Sequence, residues 1–184
     1  MAGSTTDITE RKRAEDLLSL QARTDALTGL ANRREFERQF EDIVRTARDR
    51  GTALTVCVCD LDRFKQVNDQ YGHAAGDQVL AAFAGILREH LRKADLPARM
   101  GGDEFILALP ETGSAEGAEI VERIRKELTA RVFEAPSGRF HVSSSFGVAE
   151  LSDAHADGDA LLAEADRFLY EAKAAGRNRT LAAA

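Results

Sequence analysis

Two acidic clusters and one basic pair hold the residues able to do chemistry in this chain. In ARMGGDEFILALP, residues 98–110, Gly101 and Gly102 precede Asp103 and Glu104 between short apolar runs. Such a segment is either a tight turn with an acidic tip or a turn that brings a carboxylate to a metal-bound phosphate. The second cluster, VCVCDLDRFKQVNDQYGHAAGDQ, sets Asp60 and Asp62 where an apolar run ends, with Asn68 and Asp77 further on. Carboxylates at a phosphate site are hard ligands suited to Mg²⁺ or Mn²⁺, with substrate phosphates completing the shell. The competing reading of Asp60 and Asp62 is a solvated strand-to-helix junction, and Asn68 and Asp77 serve equally as loop and N-cap residues. An Asn amide with an Asp carboxylate also matches a guanine edge, which donates from N1 and its exocyclic amine and accepts at O6. Lys173 and Arg177, in LYEAKAAGRNR, are four apart and close the last predicted helix. They either neutralise its C-terminus or hold phosphate as a point charge and a fork of donors.

Other chemistries find less support. Counted from Asp60, the sixth position of a calcium loop is Lys65 rather than glycine, so an EF-hand fails. Neither GxxxxGK[ST] nor GxGxxG occurs. His73, His90, His141 and His155 form no metal-ligand spacing with the cysteines; His73 lies in the YGHAAGD loop, and His90 and His155 read as surface residues. Cys57 and Cys59 are two apart in a strand-like run, point to one face and lack redox spacing, which makes them reduced structural cysteines. The formal charge of -6 argues against general nucleic-acid binding. No apolar run reaches the roughly 18 residues of a membrane span and no signal peptide is visible, so the reading is cytoplasmic, without membrane contact.

The elements that must position these residues follow from periodicity. Asn32 with Glu35 has the form of an N-cap and its reciprocal glutamate, predicting a helix from about Arg33 to Arg50. ALTVCVCDL is apolar on both faces, as an interior strand covered on both sides must be. A second helix lies in GDQVLAAFAGILREHL, and RM and EFILAL make a hairpin about the glycine pair. A third helix spans roughly 115–130, RFHVSSSFGVAE is a strand, a fourth helix runs from about 159 to 173, and GRNRT finishes as a short edge strand. This order predicts a mixed α/β (α+β) sandwich rather than a doubly wound nucleotide fold. Residues 1–22 form a flexible start and a helix with a thin stripe of Ala14, Leu17, Leu18 and Ala22. That stripe needs a partner, as in a short coiled coil, or packs on its own domain.

Taken together, DLDRFKQVND, YGHAAGDQVL, ARMGGDEF, SSSFGVAE, ADRFLYEAKAAGRNR and DALTGLANRR resemble the GGDEF family of diguanylate cyclases over roughly residues 23–181. The resemblance implies a palm-like domain, residues 23–184, with a mainly antiparallel central sheet flanked by helices, as in nucleotidyl cyclases. It implies condensation of two GTP into cyclic di-GMP with release of two pyrophosphates, dependent on Mg²⁺, by a homodimer of facing half-sites. Asp60, the Leu61 carbonyl and Asp103 match metal ligands; Asp103 or Glu104 assists deprotonation or organises the site. Asn68 and Asp77 match guanine-binding positions, Phe64, Lys65, Gly101 and Gly102 positions beside the phosphates, and Lys173 and Arg177 the pair on the β- and γ-phosphates. Arg92, Asp95 and Arg123 match a site at which cyclic di-GMP inhibits; the bland alternative for Arg92 and Asp95 is a local ion pair. DITERKRAE is similar to the close of a PAS domain running into a coiled-coil linker, implying an upstream sensor. Arg63 stands where the family often has an apolar or aromatic residue, Phe146 replaces a more usual isoleucine, and Phe168 a frequent small residue. The alternative is a non-catalytic effector that binds cyclic di-GMP.

Overall fold

A computed structural model describes residues 23–183 of the chain. The predicted N-terminal helix, its apolar stripe and the PAS-like close lie outside the described residues. The strands are β1 (Ala31–Asn32), β2 (Leu54–Leu61), β3 (Leu96–Gly101), β4 (Glu104–Pro110), β5 (Phe133–Ala135), β6 (Gly138–Phe140), β7 (Ser144–Glu150) and β8 (Thr180–Ala182). The helices are α1 (Arg33–Arg50), α2 (Phe64–Tyr71), α3 (His73–His90), α4 (Ser114–Ala130) and α5 (Gly158–Ala174). Six strands form one sheet in the order β1-β3-β4-β2-β7-β8. The three inner pairings are antiparallel, and only the edge strands β1 and β8 run parallel to their neighbours. The expected α+β sandwich with a mainly antiparallel sheet is the fold.

Strand β2 organises it. Its side chains alternate between two cores, as a period of two requires. Leu54, Val56 and Val58 join Phe36, Phe40 and Val44 of α1 and Leu161, Ala165 and Leu169 of α5. Cys57, Cys59 and Leu61 join Val79, Phe83 and Leu87 of α3 and Val121, Ile124 and Leu128 of α4. The cysteines share one buried face as expected, and burial pushes both thiols up.

Several local expectations need correction. Glu35 does not reach back in a capping box: Asn32 Oδ1 accepts from the Glu35 amide at 3.0 Å, but the Asn32 amide donates to the Arg23 carbonyl. The Glu35 carboxylate turns instead to Arg38 at 2.7 Å and Gln39 at 2.6 Å. RFHVSSSFGVAE is two strands, because β6 belongs to a separate hairpin with β5. The last helix stops at Ala174, so Arg177 lies beyond it with φ 63° rather than closing it. His155 is buried: its Nδ1 faces Ser152, its Nε2 lies 3.0 Å from Glu164, and its carbonyl accepts from Arg48.

Helix α5 lies directly on β7 at Gly147. A Cβ there would stand 1.9 Å from the Ala165 carbonyl oxygen and 2.3 Å from the Leu169 amide nitrogen, both backbone. Gly147→Ala therefore lifts α5 from the sheet and costs about 3 kcal/mol in urea denaturation; an unchanged midpoint would refute the contact. A second expectation concerns acid. Hydrogen bonding from Arg38 holds Glu35 down at about 2, against the opposing effect of burial. A depressed carboxylate stabilises the fold fully above its ordinary value of 4.5 and loses that contribution as pH falls toward 2. Wild type should exceed Glu35→Gln by on the order of 1 kcal/mol at neutral pH, solvent screening included, and the gap should close between those two values. A gap independent of pH would contradict it.

Candidate functional site

Asp60 is the next residue after Val58 in the series that faces α1 and α5, but the strand is leaving the core there. It sits opposite Glu104 on β4 and Ser145 on β7. From α5, Lys173 Nζ approaches Asp60 Oδ2 to 2.9 Å. Burial raises the pKa of Asp60, and the neighbouring charges of Asp103 and Asp62 add to this, against the hydrogen bond and charge of Lys173. Beside the pair runs a cleft of about 300 Å³ that Arg33, Glu104 and Asp166 also line.

The glycine turn comes to Asp60 across the sheet. The Leu61 amide donates to the Asp103 carbonyl at 3.3 Å. Gly101 and Gly102 have φ of 140° and 53°, values that L side chains rarely adopt, and the β3–β4 register shifts between Arg99 and Gly101. Arg99 holds this turn from below, donating to the Gly102 carbonyl from Nε at 3.0 Å and Nη2 at 2.7 Å. Its Nη1 lies 3.1 Å from both carboxylate oxygens of Asp25. Burial opposes the charge on Asp25, but hydrogen bonds from the Thr28 hydroxyl and amide and from Arg99 outweigh it and hold the carboxyl below its ordinary value. Asp25, Thr28 and Arg99 were not singled out from the sequence; the Asp-x-x-Thr spacing was the available signal for a side-chain-stabilised turn.

Asn68 and Asp77 are neither loop nor N-cap residues. Asn68 is inside α2 and Asp77 is in the second turn of α3, the two helices meeting at Gly72 with φ 88°. Gly76 admits the Asn68 side chain, since a Cβ at that position would fall 2.0 Å from Asn68 Oδ1. Phe64 is buried and starts α2 without a side-chain cap, while Lys65 and Asp77 are exposed.

Asp62 is not the solvated junction of the bland reading. It is buried, and accepts from the Ser143 hydroxyl at 2.6 Å, the Ser145 hydroxyl at 2.7 Å and the Asn178 amide at 3.0 Å. This ties the exit of β2 to the turn that carries Arg177. Arg177 lines a cavity apart from the Asp60–Lys173 cleft, so the two basic residues border different hollows.

Arg92, Asp95 and Arg123 border one cavity of about 240 Å³, with His90, Glu116 and Glu119 on its walls. The Asp95 side chain is 1% exposed and accepts from the Arg92 amide at 2.7 Å. Arg92 Nη2 also reaches the Pro110 carbonyl and the Thr112 hydroxyl. The pair therefore does more than a surface ion pair: it fixes the loop between α3 and β3.

These positions can be set beside known proteins. The model of "Diguanylate cyclase, GGDEF domain" matches residues 22–179. The chain belongs to the GGDEF family. It is 40% identical over 178 residues to the response regulator PleD of Caulobacter vibrioides, a match covering 92% of this chain and 39% of PleD. It is 42% identical over 181 residues to the diguanylate cyclase DgcM of Escherichia coli K12, covering 96% of this chain and 42% of DgcM. The chain thus spans about two-fifths of the length of these relatives. The coiled coil and GGDEF domain of DgcB from Caulobacter crescentus, solved in complex with c-di-GMP, superposes with a TM-score of 0.92 at 32% identity, over 98% of this chain and 95% of that one.

The residues fit a hard divalent cation. Asp60 is partly buried with its charge disfavoured, and the Lys173 ammonium already stands against it as a cation. No group of three or more His, Cys, Asp or Glu side chains gathers among the described residues. A cation held by Asp60, Asp103 and a carbonyl would need phosphate and water for the rest of its shell, the usual arrangement for Mg²⁺. No helix among the described residues is long and apolar enough to cross a membrane.

Proposed function

We propose that residues 23–184 form the catalytic domain of a diguanylate cyclase that condenses two GTP into cyclic di-GMP and releases two pyrophosphates. The observation that carries this reading is the convergence of Asp60, at the exit of the buried β2, with the Gly101–Gly102 turn and with Lys173 at 2.9 Å. Each domain binds one GTP. Asn68, lying against Gly76, and Asp77 read the guanine edge. Lys65 and the uncapped start of α2 at Phe64 face the phosphates, the side-chain-free turn leaves them room, and Lys173 and Arg177 neutralise the β- and γ-phosphates.

Two such domains face one another as a homodimer. The 3′-oxygen of one GTP attacks the α-phosphorus of the other, the α–β phosphoanhydride bond breaks, and pyrophosphate departs with the displaced electron pair. The second GTP repeats the step in reverse sense, closing the ring. The 3′-hydroxyl proton leaves toward the carboxylates of the turn, Asp103 and Glu104, or to solvent. Asp60, the Leu61 carbonyl and Asp103 would hold Mg²⁺, or Mn²⁺ in its place, which when bound would supply charge stabilisation for the phosphoryl transfer. The protein's own share is positioning and charge complementarity.

Arg92, Asp95 and Arg123 bind the product and inhibit. An effector that only bound cyclic di-GMP would need this cavity alone; the intact turn from Gly101 to Phe105, held by Arg99, favours an enzyme. Residues 1–22 join the domain to an upstream PAS-type sensor in a cytoplasmic protein and tune how the domains pair.

Incubation with GTP and Mg²⁺ followed by identification of products tests the reading. Wild type should yield cyclic di-GMP, and Asp103→Ala should lower turnover at least about 100-fold, the scale of losing a group that stabilises transition-state charge. No dinucleotide from a dimeric wild type would sink it. In the same assay Arg92→Ala should retain initial turnover and lose inhibition by added cyclic di-GMP. Undiminished inhibition would remove the product site from Arg92.

A further inference from the structure

Arg63 and Arg177 border one cavity of about 320 Å³, between α2, the segment from β6 to β7 and the turn after α5. Neither has a carboxylate partner among the described residues, whereas Arg38, Arg92, Arg99, Arg125 and Arg167 all do. Both take a left-handed backbone, Arg63 with φ 56° and Arg177 with φ 63°. That conformation is unfavourable for a residue with a side chain, so the surrounding structure must impose it.

What imposes it is a cross-tie between their neighbours in the chain. Asp62 precedes Arg63, Asn178 follows Arg177, and the Asn178 amide donates to Asp62 Oδ2 at 3.0 Å. The same amide reaches Ser145 Oγ at 3.1 Å, and Asn178 Oδ1 accepts from Arg125 and from Thr129 of α4. One hydrogen bond thus brings the backbones of the two arginines to either side of a single junction. The opposite wall is firm as well: Tyr71 stacks on Phe140 with ring centroids 4.1 Å apart. Gln66, Gln70 and His141 supply further polar groups, and His141 Nδ1 lies 3.2 Å from the Thr129 carbonyl. The one carboxylate at the cavity, Asp62, already accepts three hydrogen bonds. The charge left unanswered is positive.

We propose that Arg63 is a further substrate-binding residue, pairing with Arg177 around the terminal phosphates of GTP, the β,γ pair that leaves as pyrophosphate. This rests on the cyclase reading above and deepens it. Two guanidinium forks rooted on either side of one junction offer a multiply charged, oxygen-rich group more donors than a point charge would. A nucleoside monophosphate does not extend to them.

Binding of GTP and GMP, and inhibition by pyrophosphate, should be measured for wild type, Arg63→Gly and Arg63→Lys. Glycine accepts φ 56° without penalty, so Arg63→Gly removes the guanidinium while relaxing the backbone. It should weaken GTP and pyrophosphate about tenfold, the loss of one charge-assisted contact, and leave GMP unchanged. Arg63→Lys should fall between. Unchanged GTP affinity overturns the proposal, and so does an equal loss for GTP and GMP, which would mark a merely structural role. Wild type that binds GTP yet forms no cyclic dinucleotide counts against the cyclase reading alone, because the binding comparison needs no turnover.

Discussion

Asp62 is the carboxylate on which the rest of the site depends. A buried polar group is tolerated only when it is hydrogen-bonded, and Asp62 accepts from two serine hydroxyls of the segment leading into and along β7 and from the amide of Asn178. Those partners are 81, 83 and 116 residues away in sequence. One side chain therefore sets the end of β2 against β7 and against the turn after α5. Ser145 faces Asp60 in the β2–β7 register, so the contact that satisfies Asp62 also fixes the strand position from which Asp60 emerges. Two carboxylates separated by one residue take opposite roles. Asp62 is consumed by structure, and Asp60 is left half-buried with charge that only a cation can offset.

The glycine turn is held with the same economy. Arg99 spans from the Gly102 carbonyl to Asp25, and Asp25 is itself held by Thr28. The turn is thereby attached to the segment that enters the domain from the N-terminal side. Residues 22–179 are those that match the family, and Asp25 lies at their very start. Arg99 thus links the turn that carries Asp103 to the first residues of the matched span.

How much of this the sequence discloses depends on distance along the chain. Strand β2 and its terminal Asp60 are legible because an apolar run covered on both faces, ending in acid, is a local pattern. Helix α1 and its cap at Asn32 are local too. The partners of Glu35 are not, because Arg38 and Gln39 on the following turn compete with the cap amide for the same carboxylate and both take it. Helix α2 was hidden by its polar residues: only Phe64 and Val67 are buried, too few for a periodicity. The β5–β6 hairpin is three residues a side and falls below any pattern. The packed roles of Asp62, Arg99 and His155 were illegible for a different reason. Each is a polar residue whose burial depends on partners from distant segments or on a local loop fold, and nothing in its own neighbourhood distinguishes it from a surface residue. Family resemblance located the chemistry that spacing alone left open, but it did not reveal that Lys173 and Arg177 border separate hollows.

That separation bears on how charge is handled in the site. With Lys173 against Asp60, a carboxylate whose charge burial disfavours is met by an amine from α5. In the proposed reaction a divalent cation and a triphosphate would together bring positive charge to Asp60 and negative charge to Lys173. Lys173 can then exchange one anionic partner for another without either charge being left bare in a partly buried cleft. An uncompensated buried charge costs far more than the exchange of one partner for another. A lysine suits this role better than an arginine, since a flexible stem with a point charge can swing between oxygen ligands while a planar fork is committed to its geometry. Arg177 differs in what is held: its backbone takes a left-handed conformation beside the tie from Asn178 to Asp62. The chain thus sets one lysine against Asp60 and one arginine on a turn tied to Asp62, so the two neighbouring carboxylates each position one of the basic residues.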